Sequence, residues 1–502
     1  MVPSGTVDAA GSTAGRTLRA APALILLAAA ALRIALVLLG GTGYSSDENL
    51  HFGPAFEIAN ALLAGQWDQG LVAALHQQHH FAFRIPSTLI ALAVMAVGPP
   101  QRWRAALLLQ LSSVAVIALV YALARRRGAG RGEATVAMLF AATATTLTYF
   151  ARHLMPYDTG LAIDLLALWL ALRGDGLARG VLVGAVAALG FFTYYAYLAV
   201  AVVAAGVFAL RGRPRRAQRA FGLALGAAAV AAPLELVTIV RGASVDWVLP
   251  FHVMLWRFLH GAPESWGSSY AEGWWVPFAY LWHVEHLVAV LWVALAVAGW
   301  RLGAARATWA GAIALGLYLW LALHSTMLHE SVVLGRFVRQ IVPFLCLAAA
   351  AGLVAVAARV RAWRPAFARP FAVATVAGVV LAAVVNLRPV VAQRFPTEID
   401  RDWVLRYGTH AYGQTLDGWD GTNEGNARYL ALNVRNAGPP WPILGLRDEK
   451  PAGCVAEAFP HPLAWAGYQY EGYTEKARVA VRARPFLMTL VDRETSAPCP
   501  AR

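Results

Sequence analysis

Long runs of apolar residues alternate along the chain with short clusters of arginine, and eleven of the runs read as membrane-spanning helices. They lie near 21–40, 103–124, 133–150, 157–172, 180–194, 196–210, 219–240, 277–300, 307–323, 336–358 and 370–387. A helix needs about 20 residues to cross the hydrocarbon layer, and only helices or closed barrels satisfy their backbone polar groups inside it. The pattern therefore predicts an all-α polytopic membrane domain of about eleven transmembrane helices over 21–388, after a cytoplasmic tail at 1–20. The first run exceeds the roughly 7–15 apolar residues of a secretory signal, so it is read as an uncleaved span. Arg33 interrupts it, and either snorkels or faces the bundle. The stretch 84–98 is short for a span and suits a re-entrant or interfacial helix.

The chain changes character at about Pro389. The tail, 389–502, holds 13 of the 28 acidic residues and turn signals such as Asp417-Gly418, Asp420-Gly421 and Gly438-Pro439-Pro440. The alternating run 478–482 and the apolar run 486–491 suggest strands. A small C-terminal α/β domain is expected there, on the extracytoplasmic side.

Composition sharpens the class. Hydrophobic residues make up 59% of 502 positions, the mean hydropathy is +0.53 and 14% of residues are charged. Soluble domains run near 45–50% apolar and about 25% charged, so lipid must solvate part of this chain. The net charge of +14 is not a nucleic-acid signal, because the cations are almost all Arg and gather between apolar runs. Five basic connectors stand out: Arg125–Arg127 with Arg131, Arg173 to Arg179, Arg211 to Arg216, Arg301 with Arg306, and Arg359 to Arg369. The positive-inside rule places all five in the cytoplasm if 84–98 does not cross. A multi-pass protein of the plasma (inner) membrane follows. Of the three cysteines, Cys346 lies in an apolar run, whereas Cys454 and Cys499 lie in the tail and are expected to pair in an oxidising compartment.

Four segments then face outward, and they carry the candidate chemistry. The first opens with Tyr44-Ser45-Ser46-Asp47-Glu48 and continues through an amphipathic stretch at 55–64 to His76-Gln77-Gln78-His79-His80. Asp47 and Glu48 suit the first turn of a capped helix, and Asp47 also suits a base that takes a proton from an acceptor. The histidines with a nearby carboxylate allow a divalent cation, although their spacing matches no zinc motif and interfacial packing is the simpler reading. The second segment, Arg152-His153-Leu154-Met155-Pro156-Tyr157-Asp158, starts a helix at Pro156, with Asp158 in its first turn. The third holds Trp247, Trp256, Trp266, Tyr270, Trp274 and Trp275, with Tyr280 just beyond. It reads as an interfacial aromatic belt before it reads as a sugar platform. The fourth, His324 to Glu330 with His329, leads into Arg336 and Arg339, a pair sharing a helix face and suited to bidentate phosphate binding or headgroup anchoring. Asp164 and Glu235 are taken as the acids clearly inside spans.

These residues resemble the GT-C glycosyltransferases, polytopic enzymes that use polyprenyl-phosphate sugar donors, and within them the protein O-mannosyltransferase and aminoarabinose-transferase type. The matching features are Asp47-Glu48 opening the first outer loop, the RHLMPYD segment from Arg152 to Asp158, and GRFVRQIVPFLCLAAAAGL from Gly335 to Leu353. The His-Pro-Pro-Leu stretch of the family is absent; His79 to Pro86 stands in its place. The resemblance implies inverting transfer from a polyprenyl-phosphate sugar donor to an acceptor glycan, lipid or protein on the extracytoplasmic face. It gives Asp47 and Glu48 the catalytic role, and puts Arg152, His153, Asp158, His79, His80, His329, Glu330, Arg336 and Arg339 against the substrates. Membrane lipid is a partner in this reading, and nucleic acid is not. A multi-span transporter or flippase of a lipid-linked or small solute is the rival class, and a non-catalytic assembly factor for envelope polymers is a third.

Overall fold

The computed structural model describes residues 10–38, 58–70, 102–150, 155–211, 215–240, 273–327 and 335–392, and five short stretches of the tail within 411–492. The expectations about 84–98 and the Cys454–Cys499 pair fall outside these residues. The described part of 10–392 is helical. In chain order the helices are α1 (Ala10–Leu38), α2 (Arg102–Arg126), α3 (Arg131–Thr143), α4 (Thr145–Tyr149), α5 (Tyr157–Ala171), α6 (Leu177–Thr193), α7 (Leu198–Ala209) and α8 (Arg216–Val240). They continue with α9 (Val276–Glu285), α10 (Leu287–Arg301), α11 (Ala305–Met327), α12 (Gly335–Val338), α13 (Val342–Trp363) and α14 (Pro365–Ala392).

Among the described residues five helices are long and apolar enough to cross a membrane, or six if the α9–α10 pair counts as one bent span. The apolar pattern predicts about eleven, and among the described residues several of the expected runs are short or broken. Helices α5, α6 and α7 have 15, 17 and 12 residues, less than a straight crossing needs. The run 133–150 is interrupted at Ala144, whose extended ψ of 121° separates α3 from α4. The run 277–300 bends by 119° between α9 and α10. At that bend His286 takes a φ of +48°, a left-handed conformation rare for a residue with a side chain.

The basic connectors gather at one end of the bundle. Arg126 donates to the Leu172 carbonyl at 2.8 Å, and Arg211 reaches the carbonyls of Ala171 and Gly174. Arg219 pairs with Asp175 at 3.0 Å, Arg306 grips Glu133 through two 2.8 Å bonds, and Arg127 stacks over Trp309 at 4.7 Å. The Gly176 N–H and the Arg219 guanidinium hold the Asp175 carboxyl below the usual carboxylate range. Links between the loops after α2, α5, α7 and α10 thus put four Arg-rich turns on one side.

Helices α6 and α8 meet along glycines, Gly180 and Gly184 on one and Gly222 and Gly226 on the other. A Cβ on Gly226 would run into the Val181 carbonyl, so the two backbones approach as only glycine allows. The centre of the bundle is α13, where every residue from Val342 to Leu353 is buried. Cys346, which lies in that apolar run, is a free, buried thiol.

In the tail the described stretches are strands β1 (Ala411–Thr415), β2 (Leu430–Val434), β3 (Pro442–Leu446), β4 (Cys454–Pro460) and β5 (Leu487–Asp492). They form one antiparallel sheet in the order β1-β2-β3-β5-β4, with β5 between β3 and β4 and an irregularity between Val455 and Glu457. The run 478–482, expected as a strand, falls outside the described residues.

Candidate functional site

At the end of the bundle away from the arginine-rich turns, the start of α5 meets the α12 segment. Pro156 caps α5, which places Tyr157 and Asp158 in its first turn. Arg336 lies in α12 and Arg339 opens the short 3₁₀ turn that joins α12 to α13. Arg339 forms a salt bridge and hydrogen bond to Asp158, and both side chains are buried. Arg336 donates to the Tyr157 hydroxyl at 2.8 Å, so the two arginines engage consecutive residues of α5. Burial excludes headgroup anchoring for Arg339: its side chain is 0% exposed. A charge so placed is tolerated only when it is paired and hydrogen-bonded.

Aromatic rings wall this pair. The Arg339 guanidinium carbon stands 5.1 Å from the Phe150 ring centre, and Phe150 meets Tyr157 edge-on at 5.4 Å. Tyr157, Tyr194 and Tyr197 continue the stack at 4.8 and 4.9 Å. The Tyr197 hydroxyl donates to the Arg336 carbonyl at 2.7 Å, which fixes the α12 backbone. Tyr280, expected near the aromatic belt, is buried, whereas Trp274 and Trp275 are exposed as a belt requires.

Arg33 faces the bundle. Its Nε donates to Ser113 Oγ at 2.7 Å and its Nη1 to the Ala29 carbonyl at 3.2 Å. Ser113 in turn hydrogen-bonds the Asp158 carboxylate, so Arg33, Ser113, Asp158 and Arg339 form one chain across α1, α2, α5 and the α12 segment. Beside it, Thr159 donates to Ser112 at 3.1 Å and ties α5 to α2. Of the residues singled out from the sequence, Asp158, Arg336 and Arg339 come together here. Asp47, Glu48, His79, His80, Arg152, His153, His329 and Glu330 lie outside the described residues.

Two buried acids stand nearby. Asp164 on α5 is fully buried against Gly190, and neither carboxylate oxygen has a hydrogen-bond partner among the described residues. Glu285 closes α9 and corrects the expectation that Asp164 and Glu235 account for the acids inside spans. Its side chain is 0% exposed and it bonds the backbone of α4. The available signal was an acid in the middle of the apolar run 277–300. Among the described residues no three His, Cys, Asp or Glu side chains converge as metal ligands would.

The comparisons agree with this architecture. No family model matches the chain, and no curated protein matches it in sequence. Among solved structures, ArnT from Cupriavidus metallidurans bound to undecaprenyl phosphate aligns with a TM-score of 0.52 at 14% identity, over 95% of this chain and 99% of that one. ArnT in the apo state gives 0.47 at 16% identity over 74% and 72% of the two chains. The oligosaccharyltransferase of Archaeoglobus fulgidus gives 0.44 at 14% over 74% and 54%. The chain is a polytopic membrane protein by its long apolar helices, and it shares the helical fold of ArnT bound to undecaprenyl phosphate. At such identities the likeness is one of fold.

Proposed function

We propose that the protein is an integral membrane glycosyltransferase. It moves a sugar from a polyprenyl-phosphate-linked donor to an acceptor on the extracytoplasmic face, with inversion at the anomeric carbon. The observation that carries this reading is the pairing of Arg336 and Arg339 with Tyr157 and Asp158, at the end of the bundle away from the arginine-rich turns. The fold neighbour ArnT binds undecaprenyl phosphate, and guanidinium groups suit a phosphate both in charge and in their planar pair of donors.

In the reaction, the acceptor loses a proton as its oxygen or nitrogen attacks, and the lipid phosphate departs with the bonding pair. Asp158 is ill suited as the base, since Arg339 already occupies its carboxylate. Asp47, with Glu48 beside it, takes that role in this reading, and Arg336 with Arg339 stabilises the charge growing on the phosphate. Arg152, His153, His79, His80, His329 and Glu330 belong to the same outer face, where a divalent cation is compatible with the His and carboxylate set. Residues 21–388 form the catalytic domain and 389–502 an extracytoplasmic domain. The rival, a transporter or flippase, rests on Asp164, a fully buried acid without a hydrogen-bond partner among the described residues.

Transfer of radiolabelled sugar from a polyprenyl-phosphate donor in membranes separates the two. Asp47→Asn should lower transfer by about 10²–10⁴-fold, the usual worth of a positioned base, while donor binding persists. Wild-type-like transfer by Asp47→Asn removes Asp47 from the mechanism. Dependence on Asp164 without any sugar transfer favours transport.

A further inference from the structure

Among the described residues, the buried cluster carries more positive charge than it neutralises. Arg33 and Arg339 are both 0% exposed, and among the described residues Asp158 is the carboxylate they share. Within the described residues, two guanidinium groups and one carboxylate leave one positive charge over. Three buried donors are also unused: Nη2 of Arg33, and Nε and Nη1 of Arg339, have no hydrogen-bond partner among the described residues. An uncompensated cation in a membrane bundle is costly, and such residues mark ligand or ion sites.

We infer that Arg33 is a binding residue for a phosphate anion, and that with Arg339 it forms a site completed by a single negative charge. The inference rests on the transferase reading and deepens it, because the phosphate of a sugar-linked polyprenyl monophosphate is a monoanion. Local geometry favours a prepared arm over a stray charge. Nε is held by Ser113 and Nη1 by Ala29, one turn back on the same helix, which leaves Nη2 as the unused edge. Through Ser113 the first span is coupled to Asp158, and Asp158 orients Arg339. Phosphate between the two arginines would replace the missing acceptors and neutralise the cluster.

A purely structural Arg33 and an anion-binding Arg33 predict opposite signs for one substitution. Arg33→Met keeps an unbranched shaft while deleting the surplus cation. Replacing a buried charge by an apolar group of similar volume is often neutral or stabilising, whereas deleting one partner of a pair is not. Thermal unfolding of the full chain in detergent, with and without a short-chain polyprenyl phosphate sugar whose phosphodiester is a monoanion, reads both effects. For Arg33→Met the Tm without lipid should match or exceed wild type, yet at least tenfold more lipid phosphate should be needed for the same shift. Arg339→Met, which strands Asp158, should lower the Tm outright. Arg33→Lys should recover part of the lipid response.

The assignment is overturned if Arg33→Met unfolds or loses Tm while its response to lipid phosphate stays full. It is also overturned if wild type responds to no phosphate at all. An equal shift with inorganic phosphate overturns the lipid headgroup as the source of the anion. Wild type that is stabilised by lipid phosphate but transfers no sugar defeats the transferase reading, and leaves the anion site of Arg33 standing.

Discussion

Glu285 caps a helix to which it is not adjacent: its carboxylate accepts the Thr146 N–H at 2.7 Å and the Thr146 hydroxyl at 2.6 Å. Thr145 N–H adds a third bond at 3.1 Å, and the Asn386 amide donates to the Glu285 carbonyl at 2.7 Å. One residue therefore closes α9, starts α4 and receives α14. The bonds explain why α3 and α4 can part at Ala144 inside an apolar bundle. Backbone N–H groups freed at a break find no water there, and a carboxylate at a helix N-terminus supplies both acceptor and favourable charge. The clasp also bears on the site, because α4 leads directly into Phe150, the ring beside Arg339.

Glu285→Ala is expected to destabilise the protein by roughly 2–4 kcal/mol, since buried donors left without an acceptor cost about 1–3 kcal/mol each. Glu285→Gln, which keeps one carbonyl oxygen, should fall between Ala and wild type. Chemical denaturation of purified protein in micelles provides the comparison. Equal stability of all three proteins would mean that the break at Ala144 is satisfied in another way.

How much of this was legible in the sequence depended on whether a signal was local. Clusters such as Arg125–Arg127 and Arg211 to Arg216 are contiguous, and the end they share follows from charge alone. Asp158 and the pair Arg336 and Arg339 stood out separately, by their places at span boundaries. Their meeting is a long-range contact that no periodicity announces. The sequence leaves Arg33 between snorkelling and facing inward, and what decides it is a hydroxyl 80 residues away. The bend at His286 is invisible in the sequence, because neither proline nor glycine marks the residue that takes the positive φ. Glu285 is hidden because its run, 277–300, reads as one continuous span.

The glycine seam between α6 and α8 gives a second test. Gly226→Val should push α8 away from the Val181 carbonyl and the Ala185 backbone, at a cost of roughly 1–3 kcal/mol for overpacking. Gly378→Ala on α14 meets no atom within 4 Å and is the matched control. It should be neutral or stabilising by about 0.5–1 kcal/mol, the helix preference of Ala over Gly. The expected result is a lower Tm for the first variant alone, read by thermal unfolding in detergent. Similar Tm values for both would show that the seam yields without strain.

Sidedness is the last prediction, and it follows from where the two ends of the bundle point. The turn after α2 shares its end with the turns after α5, α7 and α10 through the contacts of Arg126, Arg127, Arg211, Arg219 and Arg306. Arginine-rich turns stay in the cytoplasm, so this end should be inside and the Arg339–Asp158 end outside. Gly130 and Trp275 suit a labelling pair. Gly130 is exposed in the turn after α2, with no atom within 4 Å of an added Cβ. Trp275 is 57% exposed at the start of α9. With Cys454 and Cys499 replaced by Ser, an impermeant thiol reagent added to intact cells should label Trp275→Cys and miss Gly130→Cys. Permeabilised cells should label both. Labelling of Gly130→Cys alone in intact cells would turn the bundle over and move the Arg339–Asp158 end to the cytoplasm. A transferase that drew on an extracytoplasmic lipid-linked donor would then be excluded, because its phosphate site would face the wrong compartment.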